Sequence, residues 1–128
     1  MIKIDHIALY TKHLEVSRAF YETYFGARSG AMYYNRNTGL KTYFLSFADD
    51  TRLEIMERPD VKKRLDKELS EGFIHLAFSV GSREAVDRLT QRLIADGYTC
   101  VGQARVTGDG YYESIVTDPD GNRIEITV

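Results

Sequence analysis

Two histidines and two glutamates stand at matching places in this chain. "IDHIALY" (4–10) and "FIHLAFS" (73–79) each hold a histidine in third place, His6 and His75. "RLEIM" (52–56) and "RIEIT" (123–127) each hold a glutamate in third place, Glu54 and Glu125. All four segments alternate like strands, so successive side chains point to opposite faces. Ile7 and Leu9 oppose His6, Ala8 and Tyr10; Leu53 and Ile55 oppose Glu54 and Met56. Leu76 and Phe78 oppose His75, and Ile124 and Ile126 oppose Glu125. If helices cover the Ile/Leu faces, both imidazoles and both carboxylates project from the other face. On a curved face they converge. Such an N/O set suits a borderline or hard divalent ion such as Zn, Ni, Co, Fe or Mn. A cation would also offset the cost of placing carboxylates among apolar neighbours.

Taken singly, each residue has a plainer reading. A strand histidine is commonly a satisfied core or surface residue, and a strand glutamate commonly faces water. The repeat is what distinguishes this set. The chain has three histidines, and two of them fall on the pattern. The third, His13, sits at a helix start and reads as a surface residue.

The elements that must position these residues also occur twice. After each histidine strand comes a helical pattern. The first covers about 13–25, with Leu14, Val16, Phe20 and Tyr24 as its apolar residues and Gly26 as its stop. The second covers about 82–96, with Ser82 as N-cap, Val86, Leu89, Leu93 and Ile94 as its stripe, and Gly97 just past its end. Strands follow at about 30–35, 41–47 and 51–57, and again at about 98–105, 111–117 and 122–128. "NRNTG", "ADDT", "TGDG" and "DPDGN" are the turns. Each half thus reads βαβββ, an α+β arrangement. The segment 58–72 reads as a short exposed linker helix with Val61, Leu65 and Leu69 on a thin stripe. We expect one domain over 1–128, with unit one about 1–57 and unit two about 73–128.

Bulk properties narrow the function. The chain has 128 residues, 43% hydrophobic and 28% charged, ordinary for one globular domain. A net charge of −2 gives no footprint for nucleic acid or an anionic membrane. No apolar run is long enough to span a bilayer, and "MIKIDHIALY" lacks a signal-peptide layout. The single cysteine, Cys100, excludes an intrachain disulfide, suits a reducing cytoplasm and reads as structural. "TGDGYY" (107–112) is either a loop that closes over a site or a hairpin turn. No strand-to-helix step follows it, so it is not a phosphate-binding loop.

"DHIALY" followed by "SRAFYETYFGA", then "LEIM", "FIHLAFSV" and "DPDGNRIEI" resemble the vicinal-oxygen-chelate superfamily over essentially the whole chain. That group includes glyoxalase I, bleomycin-resistance proteins, extradiol dioxygenases and fosfomycin-resistance thiol transferases. The resemblance implies two βαβββ units forming a curved sheet with a metal-holding cleft. It implies His6, Glu54, His75 and Glu125 as metal ligands. The full set is most similar to small bacterial glyoxalase I, with one divalent ion per site. Nickel or zinc is favoured; cobalt, manganese and iron are alternatives. The implied activity is a lyase or isomerase reaction: proton transfer next to a carbonyl, with Glu125 or Glu54 as base and Glu125 preferred. The implied substrate is an adduct of a 2-oxoaldehyde with a thiol. By the same analogy the chain pairs as a homodimer. Tyr10, Tyr43, Tyr111 and Tyr112 are candidate cleft aromatics, or else packing residues. No basic stretch matches the residues by which glyoxalase I grips glutathione carboxylates. A dioxygenase, thiol transferase or epimerase therefore stays open, as does a metal-free drug-binding protein.

Overall fold

The computed structural model describes residues 1–65 and 69–128, and the chain divides into two compact units, Met1–Lys63 and Arg64–Val128. In the first unit the order is β1 (Ile7–Tyr10), α1 (Leu14–Phe25), β2 (Arg28–Ser29), β3 (Tyr33–Asn35), β4 (Leu40–Ser46) and β5 (Arg52–Glu57). In the second it is β6 (His75–Ser79), α2 (Arg83–Ala95), β7 (Cys100–Val106), β8 (Tyr112–Thr117) and β9 (Arg123–Thr127).

The two sheets have the same plan. In unit one the order is β1-β5-β4-β2, with β3 also on β4; in unit two it is β6-β9-β8-β7. In both, the last strand lies inside the sheet, parallel to the first and antiparallel to the strand before it. The strand expected over 30–35 is two short pieces on β4, separated at Gly30, whose N–H donates to the Phe44 carbonyl. Glycine inside a strand commonly marks such an interruption.

Both helices start and stop for identifiable reasons. Ser82 caps α2, its hydroxyl accepting from the Ala85 N–H at 3.1 Å. His13 occupies the N-cap of α1 without a side-chain cap bond. Instead, Glu57 reaches over from β5 and accepts from the Leu14 N–H at 3.1 Å. A carboxylate there also complements the helix dipole. Gly26 and Gly97 take the positive φ, 67° and 92°, that ends each helix, a conformation glycine adopts without steric cost.

The buried face of α1 is Leu14, Ser17, Phe20 and Tyr21, and that of α2 is Val86, Thr90 and Leu93. Val16, expected in the first stripe, is 50% exposed. Two residues of helix are 200° of rotation, so it lies away from Leu14. The buried polar members are paired: Ser17 with Thr11, and Thr90 with both the Val86 carbonyl and Ser114.

Leu53 and Ile55 on β5, and Ile124 and Ile126 on β9, are buried as their alternation predicts. The first strands differ from expectation. They are shorter than 4–10 and 73–79, and Ile7 is 37% exposed. α1 packs mainly on β2, β4 and β5, and α2 mainly on β7, β8 and β9, so the edge strands β1 and β6 lie toward the margin of the helix footprints. The linker helix expected over 58–72 is not found among the described residues of that stretch. Residues 58–65 and 69–72 run as turns, bends and irregular chain, with Leu65 and Leu69 exposed. Residues 66–68 of that stretch lie outside the described residues.

The "DPDGN" turn between β8 and β9 is organised by one buried carboxylate. Asp118 accepts from the Asp120 N–H, the Asn122 N–H and the Asn122 side-chain amide at 2.8–2.9 Å. Asp118→Ala is expected to lower stability by about 2–3 kcal/mol, the usual cost of losing charge-assisted bonds at a buried site. Urea denaturation of wild type and variant measures it.

Candidate metal centre

Strand register builds one His–Glu pair in each unit. In unit one Ala8 stands opposite Glu54, and in unit two Ala77 stands opposite Glu125. Each histidine lies two residues before its alanine and so shares the glutamate's face. His6 immediately precedes β1 and His75 opens β6. His6 Nε2 is 3.7 Å from Glu54 Oε1, and His75 Nε2 is 3.3 Å from Glu125 Oε2. The imidazoles are about equally exposed, 36% and 35%, and the carboxylates 16% and 18%. The two halves are thus equivalent in register, atom choice and burial. Within either unit no third His, Cys, Asp or Glu completes a metal-holding group among the described residues.

The surroundings of the two pairs differ. In unit one, Phe44 is the register partner of Glu54, and its ring meets the His6 ring edge-on at 5.1 Å. The Arg52 guanidinium lies 4.9 Å from the Phe44 ring centre and donates to Asp5 Oδ2 at 2.6 Å. The same oxygen is 2.8 Å from His6 Nδ1. The His6 hydrogen bond first, then the Arg52 charge, hold the Asp5 carboxyl below its ordinary range.

In unit two the distinguishing residue is Glu113, which our reading of the sequence did not select. Glu113 is the register partner of Thr127, which places it on the face of Glu125. Burial raises its pKa most, followed by a hydrogen bond to Glu125, the charges of Glu125 and Asp109, and an opposing pull from His75. The place matching Glu113 in unit one is Thr42, across from Met56. The signal in the sequence was a second strand glutamate, in "YYESIV", two residues before the partner of Glu125.

The tyrosine candidates divide by face. Tyr10 shares a strand face with His6 and is 50% exposed. Tyr43 does not face the pair: it is buried beside α1, where its hydroxyl donates to Glu15 at 2.6 Å and Arg18 lies over its ring. Tyr112 likewise donates to Asp87 of α2 at 2.6 Å, under Arg83. Those hydrogen bonds raise both phenol pKa values. Both residues have even-odd parity opposite to the neighbouring site-face residues Phe44 and Glu113, a register fact their aromatic character does not reveal. Tyr111 is exposed in a hairpin turn closed by the Thr107 N–H on the Tyr111 carbonyl. "TGDGYY" is therefore the β7–β8 hairpin. His13 is exposed at the start of α1, and Cys100 is half-buried with its thiol on the Gly102 carbonyl.

With this geometry in view, similarity to known proteins is informative. A family model for the Glyoxalase/Bleomycin resistance protein/Dioxygenase superfamily matches residues 3–126. The chain belongs to this superfamily. An uncharacterized protein of Bacillus subtilis strain 168, YqjT, is 29% identical over 129 residues, covering 96% of both chains. The fosfomycin resistance protein FosX of Listeria monocytogenes, whose structure is a complex with Mn(II) and sulfate, matches with a TM-score of 0.77 and 24% identity, over 100% of this chain and 93% of that one. A glyoxalase I mutant of Zea mays matches with a TM-score of 0.79 and 19% identity, over 98% of this chain and 44% of that one. The glyoxalase-superfamily fold agrees with the α+β architecture of two repeated βαβββ units with open sheets. Among the described residues no helix is long and apolar enough to cross a membrane.

A carboxyl whose pKa folding has raised holds its proton more tightly in the native state, so it costs stability as pH rises above the ordinary glutamate range. In metal-free protein, Glu113→Gln is expected to gain stability relative to wild type between about pH 4 and about pH 7. Urea denaturation at both pH values reads the difference. An equal offset at the two would contradict a raised Glu113.

Proposed function

We propose that this chain is a metal-dependent glyoxalase I-like lyase or isomerase. The observation that supports it is the recurrence of one His–Glu pair at the same register in both units. The donor spacing suits a cation. Ligand distances of about 2.1 Å put neighbouring donors of a tetrahedral ion roughly 3.4 Å apart, against 3.3 and 3.7 Å here. His6, Glu54, His75 and Glu125 would hold the ion. Two imidazoles and two carboxylates suit zinc, nickel, cobalt, iron or manganese, and the glyoxalase I-like reading favours nickel or zinc among them.

A bound divalent ion supplies Lewis-acid polarisation of a substrate's neighbouring oxygens. The protein's own groups then move the proton. Glu125 takes it from the carbon bearing the thiol and returns it to the adjacent carbonyl carbon. Glu113 on the same strand face supports this choice, since a second carboxyl beside Glu125 can keep a proton close to the reacting carbons. Glu54 is the other candidate. The net change is an isomerisation of a 2-oxoaldehyde–thiol adduct to a 2-hydroxy thioester. Tyr10 is the aromatic residue whose strand face suits substrate contact. The lone cysteine and the superfamily's chemistry support a cytoplasmic enzyme. Exposed Ile7 and Ile74, at 37% and 48%, support pairing as a homodimer through the edge strands.

A second reading keeps the metal and changes the chemistry, with His6, His75 and Glu125 as the only protein ligands. The missing match to glutathione-gripping basic residues favours it, as does the likeness to a Mn(II)-bound fosfomycin resistance protein.

Protein purified without chelator or polyhistidine tag is expected to carry about one divalent ion per chain, lost in His75→Ala. The nickel- or zinc-loaded protein is expected to turn over the methylglyoxal–thiol hemithioacetal. Glu54→Gln is expected to lower that turnover by about 100-fold or more. Metal uptake without turnover would select the second reading, and no uptake would reject both.

A further inference from the structure

The two histidines are equivalent in the repeat, but only one is braced. His6 Nδ1 lies 2.8 Å from Asp5 Oδ2, and Arg52 holds that oxygen from the other side at 2.6 Å. Arg52 in turn lies on Phe44, which pairs with Glu54 and meets the His6 ring edge-on. The contacts close a ring: His6, Asp5, Arg52, Phe44, Glu54 and back to His6. In unit two the residue matching Asp5 is Ile74, while Arg123 keeps the place of Arg52.

We propose that Asp5 is a positioning residue that fixes the tautomer and ring orientation of His6. An ionised carboxylate only accepts hydrogen bonds, so His6 Nδ1 must be the donor. The neutral ring then has its lone pair on Nε2, the atom facing Glu54 at 3.7 Å. For the neutral ring facing an ionised Glu54, two acceptors then meet across that gap, an arrangement that a metal cation or a proton on Nε2 resolves. Carboxylates that hold a ligating histidine in this way orient the ring and raise its basicity. The inference makes the units unequal: His6 is set by a carboxylate, whereas the place of that carboxylate beside His75 is taken by Ile74. Its consequence for metal binding rests on the function proposed above; the tautomer itself does not.

Long-range proton–nitrogen NMR of the imidazoles in metal-free protein at about pH 8, above the ordinary histidine range, reads the tautomer directly. Wild-type His6 is expected as the Nδ1–H form, and Asp5→Ala is expected to shift it toward Nε2–H. Competition titration with nickel or zinc is expected to show affinity about 10–100-fold lower in Asp5→Ala. A tautomer unchanged by Asp5→Ala would overturn the proposal, and so would metal affinity that is unchanged in a wild type that binds. If wild type takes up neither ion while the tautomer still shifts, the positioning role stands and the metal function falls.

Discussion

Everything in this molecule that bears on chemistry depends on the parallel pairing of the first and last strands of each unit. β1 meets β5, and β6 meets β9, with the same offset. A slip of one residue would turn every side chain of the moved strand to the opposite face. The glutamates would then point under the helices and Leu53, Ile55, Ile124 and Ile126 would point out. Burial of those four, at 3% exposure or less, is what forbids the slip. The hydrophobic core thus sets the register, and the register sets the His–Glu distance. The polar pairs need contribute nothing to folding in order to be placed.

The same constraint explains why the histidines sit where they do. The helices cover the later strands and leave β1 and β6 at the edges. A histidine at an edge has one side open for a ligand, while its neighbouring strand presents the carboxylate from a half-buried place. Partial burial strengthens the field around that carboxylate without enclosing it.

What could be read without coordinates follows from the range of the physics involved. The helix ends at Gly26 and Gly97, the Ser82 cap and the alternation in "RLEIM" and "RIEIT" depend on residues close in sequence, and they agree with the fold. The His–Glu pairs were also within reach, because the repeat states the same register twice. The remaining features depend on distant partners. Tyr43 is placed by Glu15 and Arg18 across the sheet-to-helix interface, and Asp5 by Arg52, 47 residues away. Glu113 becomes a site residue only once the β8–β9 register is known. Ile7 reads as a core residue by pattern, and its exposure follows from where α1 ends its footprint.

A duplicated fold gives two copies of a His–Glu pair, and the departures from the repeat are where their surroundings divide. The pairs themselves match within a few tenths of an ångström. Their neighbours do not. Unit one has Asp5 and Arg52 around its imidazole and Thr42 near its carboxylate; unit two has Ile74 beside its imidazole and Glu113 on the strand face of its carboxylate. The first unit therefore invests its polar neighbours in the nitrogen donor and the second in the oxygen donor. A rigid nitrogen favours holding a cation in place, since a preset ring loses little freedom on binding. A carboxylate with a second carboxyl on its strand face has a neighbouring group able to carry a proton.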